Sequence, residues 1–191
     1  MSIWASDDRK EAQAALVAAL RAAAGGDRDA LRNVFDRTSG KLMAICLRIL
    51  NDRDEAEDVL QEVYVSVWTR AASFDPARAS PVTWLATIAR NRAIDRLRSR
   101  RSRGLAAPVE EALELADDRP DAFAAAAERE DGERIHHCLG TLEPRTQKLI
   151  RIAFFEGLSH SELATRLGEP LGTVKSWIRR GLQSLKKCLG G

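Results

Sequence analysis

A chain of 191 residues with 45% hydrophobic side chains can bury one core or two small ones, which excludes a wholly disordered protein. Few aromatics beside many Ala, Leu, Arg and Glu favour helix over sheet, and no run approaches the roughly 18 apolar residues of a membrane span. The 30 basic and 28 acidic residues nearly cancel, at a formal net charge of +2, but they are not mixed.

In chain order, Met1 to Asp8 lacks the basic start and apolar run of a secretory signal. Residues 9 to 24 suit a first helix closed by Gly25-Gly26, and Asp27 is an N-cap for a second carrying Leu31, Val34 and Phe35 inward. Ser39-Gly40 marks a weak point before Leu42, Ile45, Cys46 and Ile49 resume the apolar stripe, on whose phase Cys46 reads as core. Asn51-Asp52 end that element. Ala56, Val59, Leu60, Val63, Val67 and Trp68 then follow helical spacing, with Asp54, Asp58, Gln61 and Glu62 on the polar face. Loop signals return at Ser73 to Pro76 and at Ser80-Pro81. A helix from about Val82 carries Trp84, Leu85, Ile88, Ile94 and Leu97 into an arginine cluster. Between Gly104 and Asp131 the periodicity fades into a linker with Pro108, Pro120 and many acids. It resumes near Glu133, and Pro144 suits the first position of a helix with Leu149, Ile152 and Phe155.

The charge is segregated along this order. Arg90 to Arg103 holds seven arginines against Asp95 alone, Glu110 to Asp131 holds nine acids against two arginines, and after Pro170 come five cations with no acid. Two basic blocks flanking an acidic one predict two separate anion-facing surfaces.

Gly157 to Leu189 has the pattern of a helix-turn-helix. Ser159 with Glu162 forms a capping-box pattern opening a helix through Leu167, which Gly168 stops and Glu169-Pro170 turns. A second helix starts near Gly172-Thr173. Leu163, Ala164, Leu167, Val174 and Ile178 supply its packing, which leaves Thr173, Lys175, Ser176, Arg179 and Arg180 for base edges and phosphates. A hairpin with a merely solvated basic face is the plain alternative. Upstream, Asp58, Gln61 and Glu62 form one exposed ridge at i, i+3 and i+4, and its like-charge pair is better tolerated if a cationic partner docks there.

Asp54-Glu55-Ala56-Glu57-Asp58-Val59-Leu60-Gln61-Glu62-Val63, with Trp68 following, resembles region 2.2 of the sigma-70 family. Trp84-Leu85-Ala86-Thr87-Ile88-Ala89-Arg90-Asn91-Arg92-Ala93-Ile94-Asp95 resembles regions 2.3 to 2.4 of its extracytoplasmic-function group, and Gly157 to Glu162 with Gly172 to Ser176 resembles region 4.2. The blocks occur in the family's order. The resemblance implies an all-α fold of two small helical domains: a region 2 bundle over 1–103 and a region 4 helix-turn-helix over 132–191, joined by a flexible acidic linker, 104–131.

It further implies an alternative sigma factor that recruits core RNA polymerase to promoters. Asp54, Asp58, Gln61 and Glu62 would bind the beta-prime clamp, region 4 the beta flap, and the linker would thread toward the active-site channel or act as a tether. Asn91 would read a flipped minus-10 base, with Asp75 and Arg78 as loop candidates, and Arg90, Arg92 and Arg96 on phosphates. Phe74 is a wedge or core, and Trp84 is core or a stacking face. Thr173, Lys175, Ser176, Arg179 and Arg180 would meet minus-35 DNA. So would Trp177, where family members often carry a basic residue. The lack of region 1.1 and of a folded region 3 fits the group, and an anti-sigma factor is the expected regulator. A stand-alone helix-turn-helix regulator is the competing function, but it leaves the ridge and the Trp84 to Asn91 block unexplained.

No phosphate loop, GxSxG turn or paired acids suggest an enzyme, and no cofactor is expected. His136-His137 with Cys138 is a poor metal cluster, because adjacent helical side chains point about 100 degrees apart. Cys46, Cys138 and Cys188 are odd in number and far apart, without a CxxC pair. That predicts a reducing, cytoplasmic compartment rather than a disulfide framework, with nothing to place a reactive thiolate.

Overall fold

The computed structural model describes residues 4–104 and 129–189, and every regular element among them is helical. In order these are α1 (Trp4–Ala24), α2 (Arg28–Leu50), α3 (Arg53–Arg70), a 3-10 turn (Ala71–Ser73), α4 (Pro81–Ser102), α5 (Arg129–Gly140), α6 (Pro144–Arg151) with a π turn (Ile152–Glu156), α7 (His160–Leu167) and α8 (Leu171–Leu189). The expected linker lies outside the described residues from 105 to 128, and the chain is helical again from Arg129. Two compact units divide at Ala93 and Ile94, inside α4. No described helix is long and apolar enough to cross a membrane.

In the first unit, local signals set the helix ends. The Asp27 carboxylate accepts from the backbone N–H groups of Asp29 at 2.9 Å and Ala30 at 3.0 Å, satisfying the orphan donors of α2. Asn51 closes that helix in the left-handed conformation (φ 53°), and Asp52 caps α3 by accepting from Glu55 N–H at 3.0 Å. The weak point expected at Ser39-Gly40 is absent: α2 runs through it unbroken. A helical glycine costs about 1 kcal/mol, and the buried stripe Val34, Thr38, Leu42, Ile45 offsets that. Thr38 also donates its hydroxyl to the Val34 carbonyl at 2.7 Å and shares a 2.8 Å hydrogen bond with the Tyr64 hydroxyl. Phe35, expected inward, is 44% exposed with its ring against Tyr64 instead, at 4.8 Å between centroids. Val59, Val63 and Val67 of α3 and Leu85, Ala89 and Ala93 of α4 are fully buried. Ser80 starts α4 by accepting from Thr83 N–H at 3.1 Å.

In the second unit, Leu149, Ile152, Leu158, Leu163, Ala164, Val174 and Ile178 form the core around which α6, α7 and α8 pack. Gly181 brings α8 so close to α6 that a Cβ there would lie 2.5 Å from Thr146 and 2.7 Å from Ile150. The cysteine expectation is corrected here. Cys138 of α5 and Cys188 of α8 form a disulfide with Cα atoms 5.8 Å apart, across 50 positions of sequence. Packing of α5 against α8 juxtaposes them, which spacing along the chain cannot reveal. Cys46 alone is a free thiol, and burial pushes its pKa up to about 12.

Candidate nucleic-acid and protein interfaces

Three exposed faces carry the residues singled out in the sequence. On α3, Asp54, Asp58, Gln61 and Glu62 all lie on the surface while Ala56, Val59 and Val63 point inward, so helical phase alone builds the ridge. Val65 stands on the same outward side, 66% exposed, one helical repeat of seven beyond Asp58. Sequence reasoning missed it, although its phase with Asp58 was readable. Glu57 is drawn aside by an exposed pair with Arg53 at 2.9 Å, worth a few tenths of a kcal/mol at most.

The second face joins the loop before α4 to the outer side of that helix. Phe74 and Trp84, both half-buried, meet with ring centroids 5.5 Å apart at a tilt of 54°. Asp75 shapes the loop between them: its carboxylate accepts from Ala77 N–H at 2.9 Å and its carbonyl from Arg78 N–H at 3.1 Å, leaving the Arg78 side chain exposed. Asn91 is exposed two turns along α4 from Trp84 and accepts from Arg90 at 3.3 Å. Arg92 donates to the Ser66 hydroxyl at 2.9 Å, which ties α4 to α3. This second duty of Arg92 had no signal in the sequence. Arg96 is half-buried.

The third face is the helix-turn-helix. Ser159 Oγ accepts from Glu162 N–H at 3.2 Å, and Glu162 accepts from Ser159 N–H at 2.7 Å, the reciprocal pair that opens α7. The Ser159 hydroxyl and then its backbone N–H hold the Glu162 carboxyl below the ordinary value of 4.5. Gly168 sits at φ 65°, and the N–H groups of Gly168 and Glu169 bond back to Thr165 and Ala164, which ends α7 and starts the turn. Lys175, Arg179 and Arg180 of α8 are exposed, while Thr173 and Ser176 are half-buried. Trp177 is half-buried too. It packs against the core, and the Arg145 guanidinium lies 4.1 Å above its ring centroid. Arg145 also pairs with Glu169 at 2.7 Å. Nothing in the sequence spacing joins Arg145 to Trp177, since the contact is tertiary.

The model for "Sigma-70 region 2" matches residues 34–103, and that for "Sigma-70, region 4" matches 132–185. The chain is 37% identical over 177 residues to the ECF RNA polymerase sigma factor SigK of Mycobacterium sp. (strain KMS), covering 90% of this chain and 89% of that one. The protein of the same name from Mycolicibacterium vanbaalenii is 35% identical over 179 residues, covering 93% and 90%. This chain belongs to the extracytoplasmic-function sigma factors. The α3 ridge and the Phe74 to Asn91 face of this sigma factor fall within region 2, and its helix-turn-helix falls within region 4. Among solved structures, CnrH in complex with the cytosolic domain of CnrY is similar at 23% identity and a TM-score of 0.41, covering 92% of this chain and 97% of that one. As a sigma factor, the protein is a transcription initiation factor and not an enzyme.

Proposed function

We propose that this sigma factor engages core polymerase through Asp54, Asp58, Gln61, Glu62 and Val65 of α3, and promoter DNA through two further faces. An acidic ridge around an exposed valine suits a cationic partner helix with an apolar centre. The Phe74–Trp84 ring pair with Asp75, Arg78, Arg90, Asn91, Arg92 and Arg96 takes unpaired minus-10 bases and their phosphates, since splayed bases need a stacking surface beside a cationic track. Thr173, Lys175, Ser176, Trp177, Arg179 and Arg180 form the minus-35 side, with α8 as the recognition helix. Region 4 also contacts the beta flap. The domains are 1–103 and 132–191, and the acidic stretch 104–131 passes along the polymerase channel. The observation that carries this reading is the coexistence on one chain of the exposed α3 ridge and the acid-free, cation-bearing α8.

Run-off transcription over a genomic promoter pool, with core polymerase and this chain, tests it. Discrete new start sites, weakened by Asp58→Ala and by Asn91→Ala, are expected. Unchanged output from both variants would overturn the residue assignment. The protein works in the cytoplasm, where polymerase is, and an anti-sigma factor covers its two functional domains at rest. Equal transcription from its promoters with and without every neighbouring regulator in the cell would refute that control.

A further inference from the structure

On α8, the buried residues Val174, Ile178 and Gly181 define the inward side, and Ser176 and Gln183 lie opposite on the outward line. Round one flank from that line come Arg179, Lys175 and Lys186, all exposed cations. Round the other come Arg180, Lys187, Thr173 and Trp177, and before Arg180 that flank carries no cation of its own. A helix in the major groove runs between two phosphate rails, and its N-terminal turns go deepest. Over the first two turns one rail would then be served by Lys175, and the other by nothing on α8 before Arg180.

We propose that Arg145, from the start of α6, supplies the cation missing from those first turns: its guanidinium, laid on the Trp177 ring and held by Glu169, contacts a phosphate on the minus-35 groove wall opposite Lys175. The placement supports this in three ways. The stack on Trp177 at 4.1 Å and the pair with Glu169 at 2.7 Å hold the guanidinium beside the first turns of α8, at the deficient flank. The side chain keeps 47% of its surface exposed, and Glu169 is the only acceptor for its five N–H donors among the described residues. Stacked flat and tethered, it has already lost much of the rotamer freedom that a free arginine would surrender on binding. Trp177 thus acts as a platform for a cation, and Arg145 is a positioning and DNA-contact residue outside the recognition helix.

Arg145 also neutralises Glu169, which would otherwise repel DNA at the turn, and the test has to separate these effects. The inference rests on α8 docking in the minus-35 groove. Holoenzyme is assembled from core polymerase and the full chain, and its affinity for a promoter duplex recovered from the run-off pool is measured against salt. Arg179→Ala and Lys175→Ala report on the groove reading itself. Arg145→Gln in a Glu169→Gln background isolates the phosphate contact, because no acid remains to be neutralised. The expected result is a roughly tenfold loss, a salt slope shallower by about 0.9, and the same loss on promoters differing in minus-35 sequence. Arg145→Lys, which keeps the charge, retains the slope. If Arg179→Ala and Lys175→Ala weaken binding while the Gln pair leaves affinity and slope unchanged, the Arg145 assignment falls and the groove reading stands. If none of these variants changes binding, the groove reading falls and takes the Arg145 assignment with it.

Discussion

Reducing the Cys138–Cys188 disulfide should loosen the helix-turn-helix while leaving the rest of the chain as it was. The bond closes a loop over 50 positions, from the end of α5 to the end of α8. In the chain-entropy treatment a cross-link of that span removes about 4 kcal/mol of freedom from the unfolded chain, and measured native disulfides deliver about 2–4 kcal/mol. Cys138 is buried to 3% exposure, so the reduced thiols stay packed and no cavity opens. At about 1.4 kcal/mol per decade, amide protection in α6 and α8 should fall by about 30-fold to 1,000-fold. Hydrogen exchange by mass spectrometry on the intact protein, with and without reductant, resolves this by segment. α2 and α3 serve as internal controls, and Cys138→Ser with Cys188→Ser should reproduce the reduced pattern. If verified reduction leaves α8 protection within about threefold, the chain-entropy reasoning is wrong for this loop.

Further outcomes follow from other parts of the molecule. With its thiol buried and its pKa at about 12, Cys46 should resist alkylation at pH 8 in the native oxidised protein. Mass spectrometry should count one label after denaturation and three after denaturation with reduction, one for each cysteine of the chain. The Glu162 carboxyl is held below its ordinary value of 4.5, so its cap contributes fully above that pH and is lost as the pH falls through its lowered folded value. Protection of α7 should therefore drop on acidification below about 4.5, and Glu162→Ala should remove that step. Ser159→Ala should cost about 1 kcal/mol at neutral pH, read from denaturant midpoints. Gly181→Leu should destabilise the second unit by about 1–3 kcal/mol, because Thr146 and Ile150 already occupy the space its Cβ needs. An unchanged midpoint would show that α6 can slide away.

The readable parts of this fold are those written in neighbouring residues. Asp27, Asn51, Ser159 and Gly168 each act on backbone groups a few positions away, so a local pattern announces them. The exposure of the α3 ridge and of the outer side of α8 is likewise legible, because exposure on a helix follows from its period of 3.6 residues. What escaped is tertiary. Ser39-Gly40 reads as a weak point because the buried Thr38–Tyr64 bond that braces α2 joins residues 26 apart. Cys138 and Cys188 look unrelated along the chain because only helix packing brings them together, and the ties of Arg92 to Ser66 and of Arg145 to Trp177 escape the sequence for the same reason.

The Thr38–Tyr64 pair carries a further consequence, for the order in which it can be lost. Thr38 has one hydroxyl proton and gives it to the Val34 carbonyl, so the proton between the two side chains must come from Tyr64. The two ends are therefore unequal. Replacing Tyr64 by Phe deletes a donor and leaves Thr38 an unused lone pair, a small loss. Replacing Thr38 by Val removes the acceptor of the buried tyrosine proton, at a cost of about 1–3 kcal/mol. A lineage can reach a wholly apolar contact here at least cost by changing position 64 before position 38, while the reverse order passes through the less stable intermediate. The direction of a single proton thus sets the favoured order of change at the two positions.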